Sequence, residues 1–227
     1  MANELLWFLL LFINFGLVLL AYKLFGKYGL FSWVALVVII ANIQVLKTIE
    51  IFGLVTAMGT ILYSSLYLVT DILNEKYGKK EAKKSVFIGF FILMAMTLIM
   101  QITLYFIPHE SDILSPHITA IFSLMPRIAF ASLTAYLISQ LYDVWLFDLL
   151  KRNMKGKKLW LRNNLSTISS QLLDNIIFTS IAFIGIFEFN IIIQIFIVSM
   201  IMKIIVAGLD TPFIYIAKRI KPYEFKD

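Results

Sequence analysis

The chain has 227 residues, 60% of them hydrophobic and 15% charged, with a net charge of +6 and a mean hydropathy of +0.88. A water-soluble domain carries about 25% charged residues, so that class is excluded and an integral membrane protein is expected. The absence of cysteine excludes disulfides, iron–sulfur clusters and thiolate metal sites.

The first apolar run, 5–25, begins almost at Met1 with neither a basic leader nor a small-residue cleavage site, so it is expected to be a span and not a removable signal peptide. Six more runs follow: 28–47, 51–75, 84–107, 119–150, 164–187 and 191–217. Each approaches or exceeds the ~20 residues a helix needs to cross a ~30 Å hydrocarbon core. The expected fold is all-α, a polytopic transmembrane helix bundle of seven spans, or six if the first lies outside the bundle. It is read as one membrane domain over 1–227.

The positive charge is concentrated. Of the 20 Lys and Arg, two fall in 23–27, five in 76–84, six in 151–162 and four in 218–226. With seven spans, all four stretches lie on one face. The positive-inside rule makes that face cytoplasmic, with the N-terminus outside and the C-terminus inside. The other face carries "PHESDILSPH" (108–117), which has no Lys or Arg. The basic balance therefore encodes topology, and no direct nucleic-acid binding is expected.

Taken in chain order, the polar residues inside these runs are the informative ones, since a charge at the bilayer centre costs at least ~2.5–3.5 kcal/mol on insertion scales and normally faces a bundle interior. Near the outer end of the second run stand Asn42, Gln44 and Lys47, of which Asn42 is deepest and a candidate entrance residue. In the third run Thr60, Ser64, Tyr67, Asp71 and Glu75 share a helical face. Asp71 and Tyr67 are site candidates, whereas Glu75 is expected to make an interfacial i,i+4 pair with Lys79. The histidines of the outer loop, His109 and His117, are read as solvated, with no metal site.

The fifth run places Ser132, Tyr136, Ser139, Gln140, Asp143 and Phe147 on one stripe, and leaves Trp145 and Arg127 elsewhere. The sixth places Asn163, Thr167, Ser170, Gln171, Asp174 and Phe178 on one stripe, with Asn175 adjacent. Both contain S-Q-L-x-D-x-x-x-F. Because consecutive spans run antiparallel, the motif repeats in opposite directions, which is compatible with an inverted pseudo-repeat and a midplane site between the two spans. In the last run Ser199, Lys203 and Asp210 share a face. Lys203 is about 18 and 21 Å from the two ends at 1.5 Å per residue, so it needs a carboxylate from another helix.

No Walker-type nucleotide loop and no hydrolase triad is present, so no enzyme activity and no cofactor are expected. Two function classes remain open. One is a secondary transporter, for which proton coupling through a buried carboxylate is a candidate mechanism. The alternative is a membrane-embedded substrate-binding subunit of a multi-component ATP-driven micronutrient importer. Assembly as a homo-oligomer is also left open.

Four stretches, "SSLYLVTDILNEKYGKKEAKK" (64–84), "RIAFASLTAYLISQLYDVWLF" (127–147), "KKLWLRNNLSTISSQLLDNIIFTSIAF" (157–183) and "MKIIVAGLDTPFIYIAKR" (202–219), resemble the bacterial queuosine-precursor transporter family. The likeness runs from about residue 40 to 219. The resemblance implies import of a deazaguanine for tRNA modification: the cyano or aminomethyl precursor, or queuine. Such a purine-like substrate suits the candidates already found. A carboxylate, Asp143 or Asp174, would accept the ring N–H and exocyclic amine, with Gln140, Gln171, Asn175 or Lys203 for the keto oxygen. Tyr67, Tyr136, Phe147 and Phe178 would stack on the ring. Asp71, Asp210 and Asn42 complete the expected set.

Overall fold

The computed structural model describes residues 2–51, 54–123, 125–185 and 188–223. It contains seven α-helices: α1 (Ala2–Gln44), α2 (Gly59–Lys76), α3 (Lys79–Thr103), α4 (Ser115–Ser123), α5 (Met125–Asn153), α6 (Leu159–Phe183) and α7 (Phe189–Arg219).

Helix α1 is not one rod. Asn14 donates to the Ile61 carbonyl at 3.3 Å, while Gly59, two residues earlier in α2, lies against the Ala41 carbonyl. Residues 14 and 41 would be ~40 Å apart on a straight helix, so the two halves must run side by side. The reversal is at Gly26, with φ 56 and ψ −136, a conformation open to glycine and costly for other residues. The expected spans 5–25 and 28–47 are thus the two limbs of this hairpin.

Two boundaries differ from the hydropathy reading. Residues 48–57, part of which was assigned to the third span, contain two strands, β1 (Thr48–Ile51) and β2 (Leu54–Ala57), paired antiparallel with Thr48 opposite Ala57. The expected helical bundle is present, and this short hairpin is added to it. Thr48, Ile49, Ile51, Val55 and Thr56 are β-branched residues suited to a pleated ribbon, and hydropathy alone cannot tell such a run from helix. Helix α4 (115–123) starts four residues before the expected fifth run, and α5 begins at Met125.

The four basic stretches meet at one end of the bundle. The Tyr223 amide donates to the Lys23 carbonyl at 2.9 Å, Lys76 to the Lys218 carbonyl at 2.6 Å, and Lys151 to the Asn74 carbonyl at 2.9 Å. We refer to this as the basic end. The hairpin β1–β2 and α4 lie away from it.

Burial is inverted relative to a soluble protein. Leu5, Phe12, Phe91, Ile102 and Ile197 are exposed, whereas Asp71, Gln140, Asp143, Asn163 and Ser170 are fully buried. Apolar side chains outward and polar ones inward is the arrangement a hydrocarbon solvent selects. The segments Asn3–Gln44, Lys79–Thr103 and Ile195–Arg219 are long and apolar enough to cross a membrane, and the protein is a multi-pass membrane protein. Helix α3 packs so closely on α5 that a side chain at Gly89 would collide with the Tyr136 hydroxyl and ring, which fixes α5 with its polar stripe turned inward.

Candidate functional site

The polar stripes of α2, α5, α6 and α7 converge into a column along the bundle axis, in three layers. The layer farthest from the basic end is centred on Asp174. Its Oδ2 accepts from Lys203 Nζ on α7 at 2.7 Å, and its Oδ1 accepts from the Tyr63 hydroxyl at 3.0 Å and from Ser139 at 3.2 Å. The Tyr67 hydroxyl donates to Ser139 at 3.3 Å, extending the chain from α2 to α5. Three tyrosines wall this layer: the Tyr63 ring stands edge-on to Tyr67 and to Tyr136, each at 6.2 Å between centroids. Lys203 thereby obtains the carboxylate its depth requires.

The middle layer holds three carboxylates. Asp143 accepts from Ser170 on α6 at 2.9 Å and from Thr70 on α2 at 3.3 Å. Asp71 accepts from Thr167 at 3.3 Å, and Asp210 from the Asn163 amide at 2.7 Å. Several polar atoms here and in the layer above are buried without a partner among the described residues: Gln140 Nε2, both side-chain atoms of Gln171, Asp71 Oδ1 and Asp210 Oδ2. Unsatisfied buried groups cost ~1–3 kcal/mol each, which makes this part of the column the candidate site.

The repeated motif has a structural counterpart. Ser139 of α5 bonds Asp174 of α6, and Ser170 of α6 bonds Asp143 of α5. Each S-Q-L-x-D segment therefore holds the aspartate of the other.

At the basic end the column is closed by ions. Arg162, fully buried, reaches Glu75 at 2.9 and 3.4 Å and the Gly156 carbonyl at 3.2 Å. Lys218 and Lys151 add contacts to Glu75 at 2.9 and 3.5 Å. The expected Glu75–Lys79 pair is corrected here: Lys79 pairs with Asp148 at 3.3 Å, because Glu75 points inward to α6.

Not every candidate joins the column. Asn42 donates to its own helix at the Val38 carbonyl, 2.7 Å away. Phe147 lies under the Arg162 guanidinium, 5.2 Å from the ring centroid, and so belongs to the ionic closure. Phe178 packs edge-on against Phe183. Asn175 ties α6 to α7, donating to the Phe196 carbonyl and accepting from Ser199, both at 2.9 Å. Arg127 donates to the Ile181 and Ile184 carbonyls, satisfying the end of α6.

Tyr63 and Arg162 are among the residues missed from the sequence. Tyr63 stands one turn before Tyr67 on the same face, a spacing that could have revealed it. Arg162 was grouped with the loop lysines, although it lies on the line of Ser166 and Ser170 at helical spacing.

A family model described as "Putative vitamin uptake transporter" matches residues 57–217. The chain is 42% identical over 223 residues to a Bacillus subtilis protein named "Probable queuosine precursor transporter", covering 98% of this chain and 97% of that one. A Haemophilus influenzae protein of the same name is 28% identical over 133 residues, 58% and 54% of the two chains. An Escherichia coli K12 protein named "Queuosine precursor transporter" is 24% identical over 161 residues, 69% and 70% of the two. No solved structure matches the chain.

Proposed function

This chain belongs to the vitamin uptake transporter family, and from that membership we propose that it carries a queuosine precursor, a deazaguanine, inward across the cytoplasmic membrane as a secondary transporter. The observation that carries the reading is the buried Asp174–Lys203 pair walled by three tyrosines, with unspent donors and acceptors buried in the layer next to it. A guanine-like edge offers a ring N–H and an exocyclic amine side by side, which one carboxylate accepts together. Its keto oxygen needs a donor, and Lys203 or the Gln171 amide supplies one. Tyr63, Tyr67 and Tyr136 offer faces for the flat ring, a contact worth ~1–3 kcal/mol per base. A ring lacking the exocyclic amine would leave an acceptor unmet, which is the basis of selectivity.

The positive-inside rule makes the basic end cytoplasmic. The ion cluster of Arg162, Glu75, Lys151 and Lys218 is then the inner gate, closed in this conformation, and release to the cytoplasm requires α2 to part from α5, α6 and α7. The test is tRNA queuosine content in a host without precursor synthesis or its own transporter, supplied in turn with limiting cyano precursor, aminomethyl precursor or queuine. Restoration by the chain with at least one of them is expected; failure with all three, despite membrane expression, overturns the reading.

A further inference from the structure

Charge does not balance inside the bundle. Asp71, Asp143, Asp174 and Asp210, on four helices, are each at most 4% exposed. Among the described residues the cation in their midst is Lys203, and it is committed to Asp174. Arg162, at the edge of the group, is held by Glu75 through both of its terminal nitrogens. The remaining titratable groups facing the column are Tyr63, Tyr67 and Tyr136; the buried residues of α3, Ala82, Ser85, Val86, Gly89 and Leu93, add none. The limbs of α1 present no buried charge.

Asp71, Asp143 and Asp210 thus have neutral hydrogen-bond donors, Thr167, Thr70, Ser170 and Asn163, and no ion of opposite sign in contact. Thr167 and Ser170, one helical turn apart on α6, hold Asp71 and Asp143 respectively, and Thr70, the neighbour of Asp71 on α2, also donates to Asp143, so the two carboxyl groups lie side by side. Two ionised carboxylates have no hydrogen to share and repel strongly in a dry interior. Independently of the acids, the Gln140 amide nitrogen and the whole Gln171 amide are buried at 0% and 1% exposure with no partner among the described residues. Gln140 stands one turn from Asp143, and Gln171 one turn from Thr167, on the faces that line this layer. Among the described residues no group of three or more His, Asp or Glu side chains is placed to hold a metal ion.

We propose that Asp71 and Asp143, with Asp210 beside them, form a proton site distinct from the Asp174–Lys203 substrate site, and that its proton is carried inward with the substrate. The transport half of this rests on the proposed function; the proton site itself does not. One proton converts one carboxylate of the pair to the acid, which donates to the other. Opening of the Arg162–Glu75 gate exposes the pair to the cytoplasm, where that proton leaves.

Two measurements on the purified full-length chain test this. Infrared spectra at neutral pH should contain the carbonyl stretch of a protonated, buried carboxyl group. It should lose intensity in Asp143→Asn and, separately, in Asp71→Asn, so a folding failure in one variant does not end the test. Absence of the band in the intact chain, or no change in either variant, overturns the proposal. In liposomes containing a trapped pH indicator and no sodium, uptake of the neutral cyano precursor should acidify the lumen. Uptake that requires sodium and leaves the lumen pH unchanged overturns it as well. If the band behaves as expected while the cyano precursor, aminomethyl precursor and queuine all fail to enter, the substrate reading fails and the proton site stands.

Discussion

Ser139 on α5 donates to Asp174 on α6 across 3.2 Å, and the corresponding serine of α6 returns the bond to the corresponding aspartate of α5 at 2.9 Å. This exchange ties the two helices together and puts Asp174 and Asp143 in adjacent layers of the column. Asp143→Asn keeps the shape of its side chain and removes its charge. Precursor uptake, read as tRNA queuosine content, is expected to fall nearly to background while the detergent-solubilised variant keeps a cooperative unfolding transition.

The buried Asp174–Lys203 pair should behave as a unit. Replacing one member leaves an uncompensated charge, at a cost of about 3–5 kcal/mol, whereas replacing both with apolar groups is often nearly neutral. Asp174→Asn is therefore expected to unfold at clearly lower temperature than the intact chain. Asp174→Leu combined with Lys203→Met should regain much of that stability in thermal unfolding, without regaining uptake.

At the inner gate the order of effects follows exposure. Glu75→Gln strands the fully buried Arg162 and should destabilise by about 3–5 kcal/mol. The Lys218 side chain is 46% exposed, and Lys218→Met should cost under ~1 kcal/mol. Denaturant or thermal unfolding of the two variants side by side checks the ranking; equal effects would mean that Arg162 is not held by Glu75.

The contact between α3 and α5 predicts non-additivity. Gly89→Ala places a methyl group into the Tyr136 hydroxyl, ring and the Val34 side chain, an overpacking expected to cost about 1–3 kcal/mol. Tyr136→Phe removes the nearest atom, so the double variant should lose less stability than the two single losses added together.

The mode of energising can be read from the purified chain alone. A secondary transporter is expected to accumulate a deazaguanine in liposomes without ATP when an inward proton gradient is imposed. Uptake seen only after separate ATPase subunits are added would favour the binding-subunit alternative.

What the sequence determined by itself was what hydrocarbon solvent imposes locally. Long apolar runs mark helices that cross a bilayer, clustered Lys and Arg mark one face, and the spacing of Gln140, Asp143, Gln171 and Asp174 marks inward stripes, because helical period and desolvation cost act within a single segment. The hairpin at 48–57 escaped because β-branched apolar residues are equally apolar in strand and helix. The tertiary structure alone decided which partner each stripe meets. Lys203 could have been satisfied by any of several carboxylates, and geometry gives it Asp174. Glu75 could have paired with the nearby Lys79, but the rotation of α2 in the bundle turns it to Arg162 of α6. Such pairings depend on how helices far apart in the chain are juxtaposed and rotated, which no local pattern encodes.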